Sequence, residues 1–247
     1  MSEDSGLALL AVDLDVLFVT SPSGRIVRVN SPDGEAGPRL VLAGCCSGNL
    51  LRLRGDVGDA AARDIAALVA DEPPWRDAAE APPCLPGLIR LLSREARVTH
   101  VSRGIPYVLP NGLHWETPAT TIAGDEAEGR DLLGRLAREG ASTALAEAGF
   151  RSVADFWAPW CAALQGGEIA AIAFAARLGP RAAEVGVYTL SGFRGRGLAA
   201  AVTARWSSLA ALAGRRLFYS TQITNRASQR VAGRLGLRTL GATLAVT

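Results

Sequence analysis

At 247 residues, 49% of them hydrophobic, the chain can form one large domain or two small ones and bury a core. A net charge of +2 gives no reason to expect a nucleic acid or an anionic membrane as partner. Every basic residue is an arginine, the arginines look scattered as on a solvated surface, and Ala and Gly are abundant, the mark of a GC-rich bacterial coding sequence. The four cysteines, Cys45, Cys46, Cys84 and Cys161, show no C-x-x-C spacing, and His100 and His114 are isolated, so no metal site is expected and the thiols fit a reducing compartment. Glu3 and Asp4 stand at the start and acidic residues interrupt the apolar run near Leu14, so neither a signal peptide nor a membrane span is expected, and the location expected is cytoplasmic.

Residues 7–12, 16–20, 25–30, 39–43 and 50–54 are short apolar or alternating runs that predict strands, separated by turn groups such as Ser21-Pro22-Ser23-Gly24 and Ser31-Pro32-Asp33-Gly34. Residues 59–70 predict a helix with Ile65, Leu68 and Val69 on its apolar face, ended by Glu72-Pro73-Pro74. Residues 72–87 read as an ordered connection, 86–94 as a short helix and 97–101 as a strand. The Pro- and Gly-bearing stretch 107–121 marks a boundary, dividing the chain into an N-terminal α/β domain at 1–115 and a second domain at 116–247. Residues 125–148 predict a helix broken near Gly140. Runs 160–164 and 168–177 predict a hairpin about Gln165-Gly166-Gly167.

Residues 184–189 predict a strand, and Ser191 and Gly192 turn the chain. Arg194-Gly195-Arg196-Gly197-Leu198-Ala199 leads straight into an Ala/Leu-rich helix. A glycine-rich loop between a strand end and a helix start turns several N–H groups to one point, at the positive end of a helix dipole. Glycines let an anion approach the main chain, so the loop suits a phosphate or pyrophosphate. It is not a P-loop, since the chain has no lysine, nor the G-x-G-x-x-G dinucleotide fingerprint, since Ala200 stands where the last glycine belongs. A further strand is expected at 217–221, then a helix opened by Asn225 and stopped by Leu235-Gly236-Leu237, then an apolar run at 239–246.

The order R-x-x-G-x-A after a V-Y-T strand, then a strand, N-x-x-S, a helix and L-G-L, resembles the GNAT superfamily of N-acetyltransferases over roughly the last quarter of the chain. The resemblance implies an α/β (α+β) fold with a mixed, mainly antiparallel sheet flanked by helices. The β-rich first half is then a degenerate copy of that fold, in preference to an unrelated cap. Only one strand remains after the last helix, so the superfamily's missing strand must come from the first half or from a second subunit of a homodimer.

The resemblance also implies transfer of an acetyl group from acetyl-CoA to a primary amine of a small-molecule acceptor. Arg194, Gly195, Arg196, Gly197, Leu198 and Ala199 would grip the pyrophosphate. Thr189 and Leu190, with Val187 and Tyr188 just before, align with the main-chain groups that polarise the thioester carbonyl. Asn225 and Ser228 align with residues that touch the pantetheine arm. The tyrosine many members carry seven residues after the asparagine is here Ala232. Tyr188 and Tyr219 are its substitutes within reach, and Glu184 is the base candidate, on the same pleat face as Gly186 and Tyr188. Trp115, Trp157 and Trp160 read as core or as acceptor pocket. Ala232 keeps open a degenerate member that binds acyl-CoA without turnover, and acetylation of a protein substrate is a third reading.

Overall fold

The computed structural model describes residues 6–247. They divide into two compact units, one of residues 6–108, 220–226 and 238–247, the other of residues 109–219 and 227–237. The first unit opens with helix α1, Gly6–Leu17, where a strand was expected at 7–12, and the strand expected at 16–20 begins only at Phe18. Leu and Ala are strong helix formers, and Leu10 and Leu14, one turn apart, are both buried against the rest of the unit. A short apolar run does not reveal its period, and here the helical one wins. β1, Phe18–Thr20, and β2, Ile26–Val29, form an antiparallel ribbon across a turn in which Gly24 has φ 77°.

β3, Leu40–Cys45, and β4, Gly48–Leu53, pair antiparallel. α2, Asp59–Ala70, buries Ala62, Ile65 and Val69, the three- and four-residue spacing of one helical face. α3, Leu85–Ser93, buries Leu88, Leu91 and Leu92 in the same core. The connection between these helices is held by Asn49, whose Nδ2 donates to the carbonyls of Glu72 and Pro73 at 3.0 Å and whose Oδ1 accepts from the Trp75 amide at 2.9 Å. β5, Val101–Leu109, begins where the expected strand at 97–101 ends, and it runs through Pro106.

In the second unit β6, Thr120–Ala123, precedes α4, Ala127–Glu139, and α5, Thr143–Glu147. The break between the helices falls at Gly140, φ 79°, and the Ser142 hydroxyl caps α5 by accepting from the Leu145 amide. β7, Trp160–Gln165, and β8, Glu168–Leu178, form a hairpin in which Gly166 and Gly167 both have positive φ, as a two-residue turn of this hand requires. β9, Ala182–Thr189, α6, Leu198–Ser207, β10, Arg216–Gln222, and α7, Arg226–Arg234, follow. β6, β7, β8 and β9 pair antiparallel in that order, and β10 joins β9 in parallel, which makes the sheet mixed and mainly antiparallel.

One face of this sheet carries Trp160, Ala162 and Ile172, which share a core with Leu132, Leu145, Phe150 and Phe156. The other face is paved with Cys161, Ala163, Ala171 and Ala173, cross-strand partners in pairs, and α6 lies on it. Small side chains let the helix come close: the Cys161 thiol donates to the Val202 carbonyl at 3.2 Å. α7 ends as expected at Leu235-Gly236-Leu237. Gly236 has φ 64°, its N–H donates to the Gly233 carbonyl, and the Leu237 N–H reaches back to Ala232, the two bonds of a Schellman motif.

The chain then returns to the first unit. β11, Arg238–Thr239, pairs with β5, and β12, Ala242–Val246, lies between β3 and β5, antiparallel to both. The last strand therefore has two neighbours from the first half of its own chain.

Candidate active site

The site is built on β9. It pairs with β10 only over Ala182–Glu184 against Arg216–Phe218. Past the Phe218–Glu184 rung, Val185–Thr189 have β8 on one edge and, among the described residues, no paired strand on the other. The phase of the β8 ladder is set at its end, where the Leu190 N–H donates to the Ala170 carbonyl at 3.0 Å. Residues along an antiparallel pair alternate between bonding the partner and facing away. Gly186 and Tyr188 therefore bond β8, while Val187 and Thr189 turn their N–H groups to the unpaired edge. The resemblance sets Thr189 and Leu190 at the polarising position; here the main-chain donors of Tyr188 and Leu190 are bonded inside the sheet, and those of Val187 and Thr189 face the unpaired edge.

The loop after β9 runs through a 3-10 turn at Ser191–Phe193. Gly195 has φ 80° and Gly197, the residue before α6, φ 78°. A Cβ at either position would meet nothing within 4 Å, so the backbone conformation, not crowding, demands glycine here. Among the described residues, the N–H groups of Gly195, Arg196, Gly197, Leu198, Ala199 and Ala200 have no acceptor, whereas those of Phe193, Arg194 and Ala201 are bonded on either side. Successive main-chain donors at the start of a helix, with left-handed glycines among them, are an arrangement that suits an anion.

The two arginines of the loop do different work from what their charge suggests. Arg196 is tied to its own scaffold: Nη1 donates to Gln165 Oε1 at 2.7 Å, Nη2 to the Gly192 carbonyl at 3.1 Å, and the guanidinium lies 5.4 Å from the centre of the Phe193 ring. Arg194 Nε donates to the Thr189 carbonyl at 3.3 Å, and the residue is exposed.

Glu184 is 7% exposed, so it is not a solvated strand-end charge. It occupies the last rung before β9 and β10 part, opposite Phe218 on one side and Arg177 on the other. Tyr219, the next residue of β10, is buried, and its hydroxyl bonds Ser228 Oγ on α7 and donates to the Ser228 carbonyl at 3.3 Å. Because side chains alternate along a strand, Tyr219 points to the face opposite that of Phe218 and Glu184. The structure thus brings Tyr219 and Ser228 together and keeps Glu184 on the other face. Ser228 and Ala232 are one helical turn apart, and Ala232 is fully buried. Asn225 immediately precedes α7 in the chain. Trp160 is core, 3% exposed, while Trp157 remains partly exposed.

Reading the arginines as scattered misses one sequence signal. Residues 185–247 hold nine of the chain's 26 arginines and none of its 24 acidic residues. Of the nine, Arg205 pairs with Glu126, while Arg194, Arg196 and Arg215 donate to neutral acceptors, which leaves their charge in place. A segment with arginines and no carboxylates carries a net positive charge, the sign that suits a polyanionic ligand.

The model of the GNAT acetyltransferase family matches residues 128–243, a span that contains the β9 edge, the loop and α7. Among solved structures, a GCN5-related N-acetyltransferase from Kribbella flavida is similar at 21% identity over 65% of this chain and 63% of its own, with a TM-score of 0.43. A GCN5-related N-acetyltransferase-like protein from Streptococcus suis is similar at 16% identity over 84% of this chain and 83% of its own, with a TM-score of 0.45. A tandem GNAT protein from the clavulanic acid biosynthesis pathway is similar at 12% identity over 99% of this chain and 95% of its own, with a TM-score of 0.44. The chain spans 66%, 63% and 57% of the lengths of the first three structures it resembles. No curated protein matches it in sequence. No helix among the described residues is long and apolar enough to cross a membrane.

Proposed function

We propose that this chain, whose residues 128–243 match the model of the GNAT acetyltransferase family, transfers an acetyl group from acetyl-CoA to a primary amine of a small-molecule acceptor. The observation that carries the reading is the row of six acceptor-less amides from Gly195 to Ala200, which directly follows a strand edge left open from Val185 to Thr189. A diphosphate fits the first and an extended pantetheine arm fits the second.

In this reading Gly195, Arg196, Gly197, Leu198, Ala199 and Ala200 hold the diphosphate through their N–H groups, and the Arg194 guanidinium adds charge. Arg196 stiffens the loop from behind. The N–H groups of Val187 and Thr189 bond the arm along the edge, and one of them meets the thioester carbonyl as negative charge develops on its oxygen. One such donor is worth about 3 kcal/mol of barrier. Acetyl-CoA supplies the activated acyl group. Glu184 takes the proton of the attacking amine from one face of the sheet, and Tyr219, poised by Ser228, protonates the departing sulfur from the other. Holding amine and thioester together supplies much of the remaining acceleration.

A second reading has a specific observation in its favour. Ala232 is fully buried and carries no proton, so a chain in which Tyr219 is only a packing residue would bind acyl-CoA without turnover. Release of CoA thiol from acetyl-CoA, measured against a panel of primary amines, tests the proposal. Amine-stimulated release supports the transferase. CoA binding with no amine-dependent release supports the binding module.

A further inference from the structure

On the face of the sheet away from α6, the ring of Phe174 lies directly over Gly186. The two are cross-strand partners, and a Cβ built on Gly186 would meet Phe174 Cζ at 2.5 Å and Cε2 at 2.7 Å. Gly186 has no positive φ, so what the glycine supplies is room for the ring. Trp157 meets the same ring edge to face, at 5.7 Å between centroids and 81° between planes. Phe150 supports it from another side at 5.6 Å and 83°. Phe150 is buried, but Trp157, Phe174, Gly186 and Tyr188 all keep part of their surface exposed.

The place of this aromatic surface matters. Gly186 precedes Val187, a donor on the open edge, and Glu184 stands two residues earlier on the same pleat face as Gly186. The leucine-lined cavity of about 420 Å³ between α4, α5 and residues 190–193 is less suitable for an acceptor. Leu190 lies three residues beyond Val187, about 10 Å along the strand, at the diphosphate end.

We propose that Phe174 and Trp157 form the wall against which the acceptor lies, and that the acceptor is a primary amine on a flat, apolar skeleton, an arene or small ring, rather than a polyamine or an amino sugar. The inference rests on the transferase reading above. The amine nitrogen forms a bond to the acetyl carbonyl carbon, the carbon–sulfur bond breaks, the amine's proton passes to Glu184, and the thiolate takes a proton from Tyr219. Flat apolar rings gain by leaving water for a partly exposed aromatic surface, whereas a hydroxyl-rich sugar would leave its polar groups unpaired there.

The test measures CoA-thiol release with 2-phenylethylamine, spermidine and glucosamine, together with calorimetric CoA binding. The expected result is a kcat/KM for 2-phenylethylamine at least tenfold above that for the other two. Phe174→Leu and Trp157→Ala should each raise its KM at least fivefold, Trp157→Phe should restore it, and CoA affinity should stay within twofold in all three variants. A preference for spermidine or glucosamine, an unchanged KM in both Phe174→Leu and Trp157→Ala, or CoA binding without turnover of any amine would overturn the inference. If the wild-type protein fails to bind CoA, the transferase reading itself falls, and the inference with it.

Discussion

The hydroxyl of Tyr219, one residue beyond the last β9–β10 rung, is bonded to Ser228 on α7, one turn before the buried Ala232. In the proposed mechanism this phenol gives its proton to the departing sulfur; one that only pins a helix is not needed for turnover. Tyr219→Phe should therefore lower kcat by about 10²-fold with little change in KM for acetyl-CoA, as expected for loss of a general acid. Ser228→Ala should lower kcat by a smaller factor. Adding Ala232→Tyr to Tyr219→Phe should restore part of the lost rate. A merely structural Tyr219 would show a lower melting temperature and an unchanged kcat.

Two glycines of the loop carry left-handed backbone and a third does not. Gly195→Ala and Gly197→Ala should each cost about 1–2 kcal/mol, because the left-handed region penalises a Cβ. In a chain of this size that lowers the melting temperature by about 2–8 °C. Gly192→Ala, with ordinary φ and nothing within 4 Å of the added Cβ, should shift it by no more than about 2 °C in either direction. Thermal unfolding of the three variants checks the difference.

Burial pushes the thiols of Cys84 and Cys161 up to about 12, helped at Cys84 by the neighbouring Glu72 carboxylate. Cys45 is also buried and Cys46 is exposed. Titration with a thiol reagent at pH 8 should therefore find one reactive thiol in the native protein and four in denaturant. The same shifts give stability a slope. Below about pH 9 these thiols are neutral in both states. Between about 9 and 12 the unfolded chain loses its protons first, so stability falls as pH rises. The melting temperature should be lower at pH 10.5 than at pH 8, and Cys161→Ser should not be tested as neutral, since it places a hydroxyl among alanines.

Glu126 joins two elements through its two oxygens. Oε2 accepts the Ala123 amide at 2.7 Å, and Oε1 pairs with Arg205 of α6. Both side chains are about one third exposed, so solvent weakens the pair. Glu126→Gln should lower stability by about 0.5–1 kcal/mol and Glu126→Ala by more, because the Ala123 amide also loses its acceptor. Denaturant midpoints measure both.

The sequence made the local features of the second unit plain because each has a chemical signature in a few adjacent residues. Gly166-Gly167 requires a tight hairpin, Gly140 interrupts a helix, and Leu235-Gly236-Leu237 ends one. Features set by partners distant in the chain were not readable in the same way. The Leu-Ala run at 7–17 fits either period until something packs on it, and it packs as a helix. Which amides of β9 face outward depends on the Leu190–Ala170 bond that fixes the ladder's phase, and no local pattern in 184–190 contains that bond. Arg196 looks like a phosphate ligand in a string of letters, yet its guanidinium is occupied by Gln165, 31 residues away. Burial of Glu184 follows from its rung opposite Phe218, again a contact between distant residues.

In the proposed function the amides from Gly195 to Ala200 hold the diphosphate of CoA. Amide-resolved NMR of the isotope-labelled protein titrated with CoA tests it most directly. Binding should bring downfield shifts and slowed exchange for the N–H groups of Gly195, Arg196, Gly197, Leu198, Ala199 and Ala200, with smaller changes at Val187 and Thr189. Saturable CoA binding that leaves the six loop resonances unmoved would contradict it, as would the absence of any CoA-dependent change.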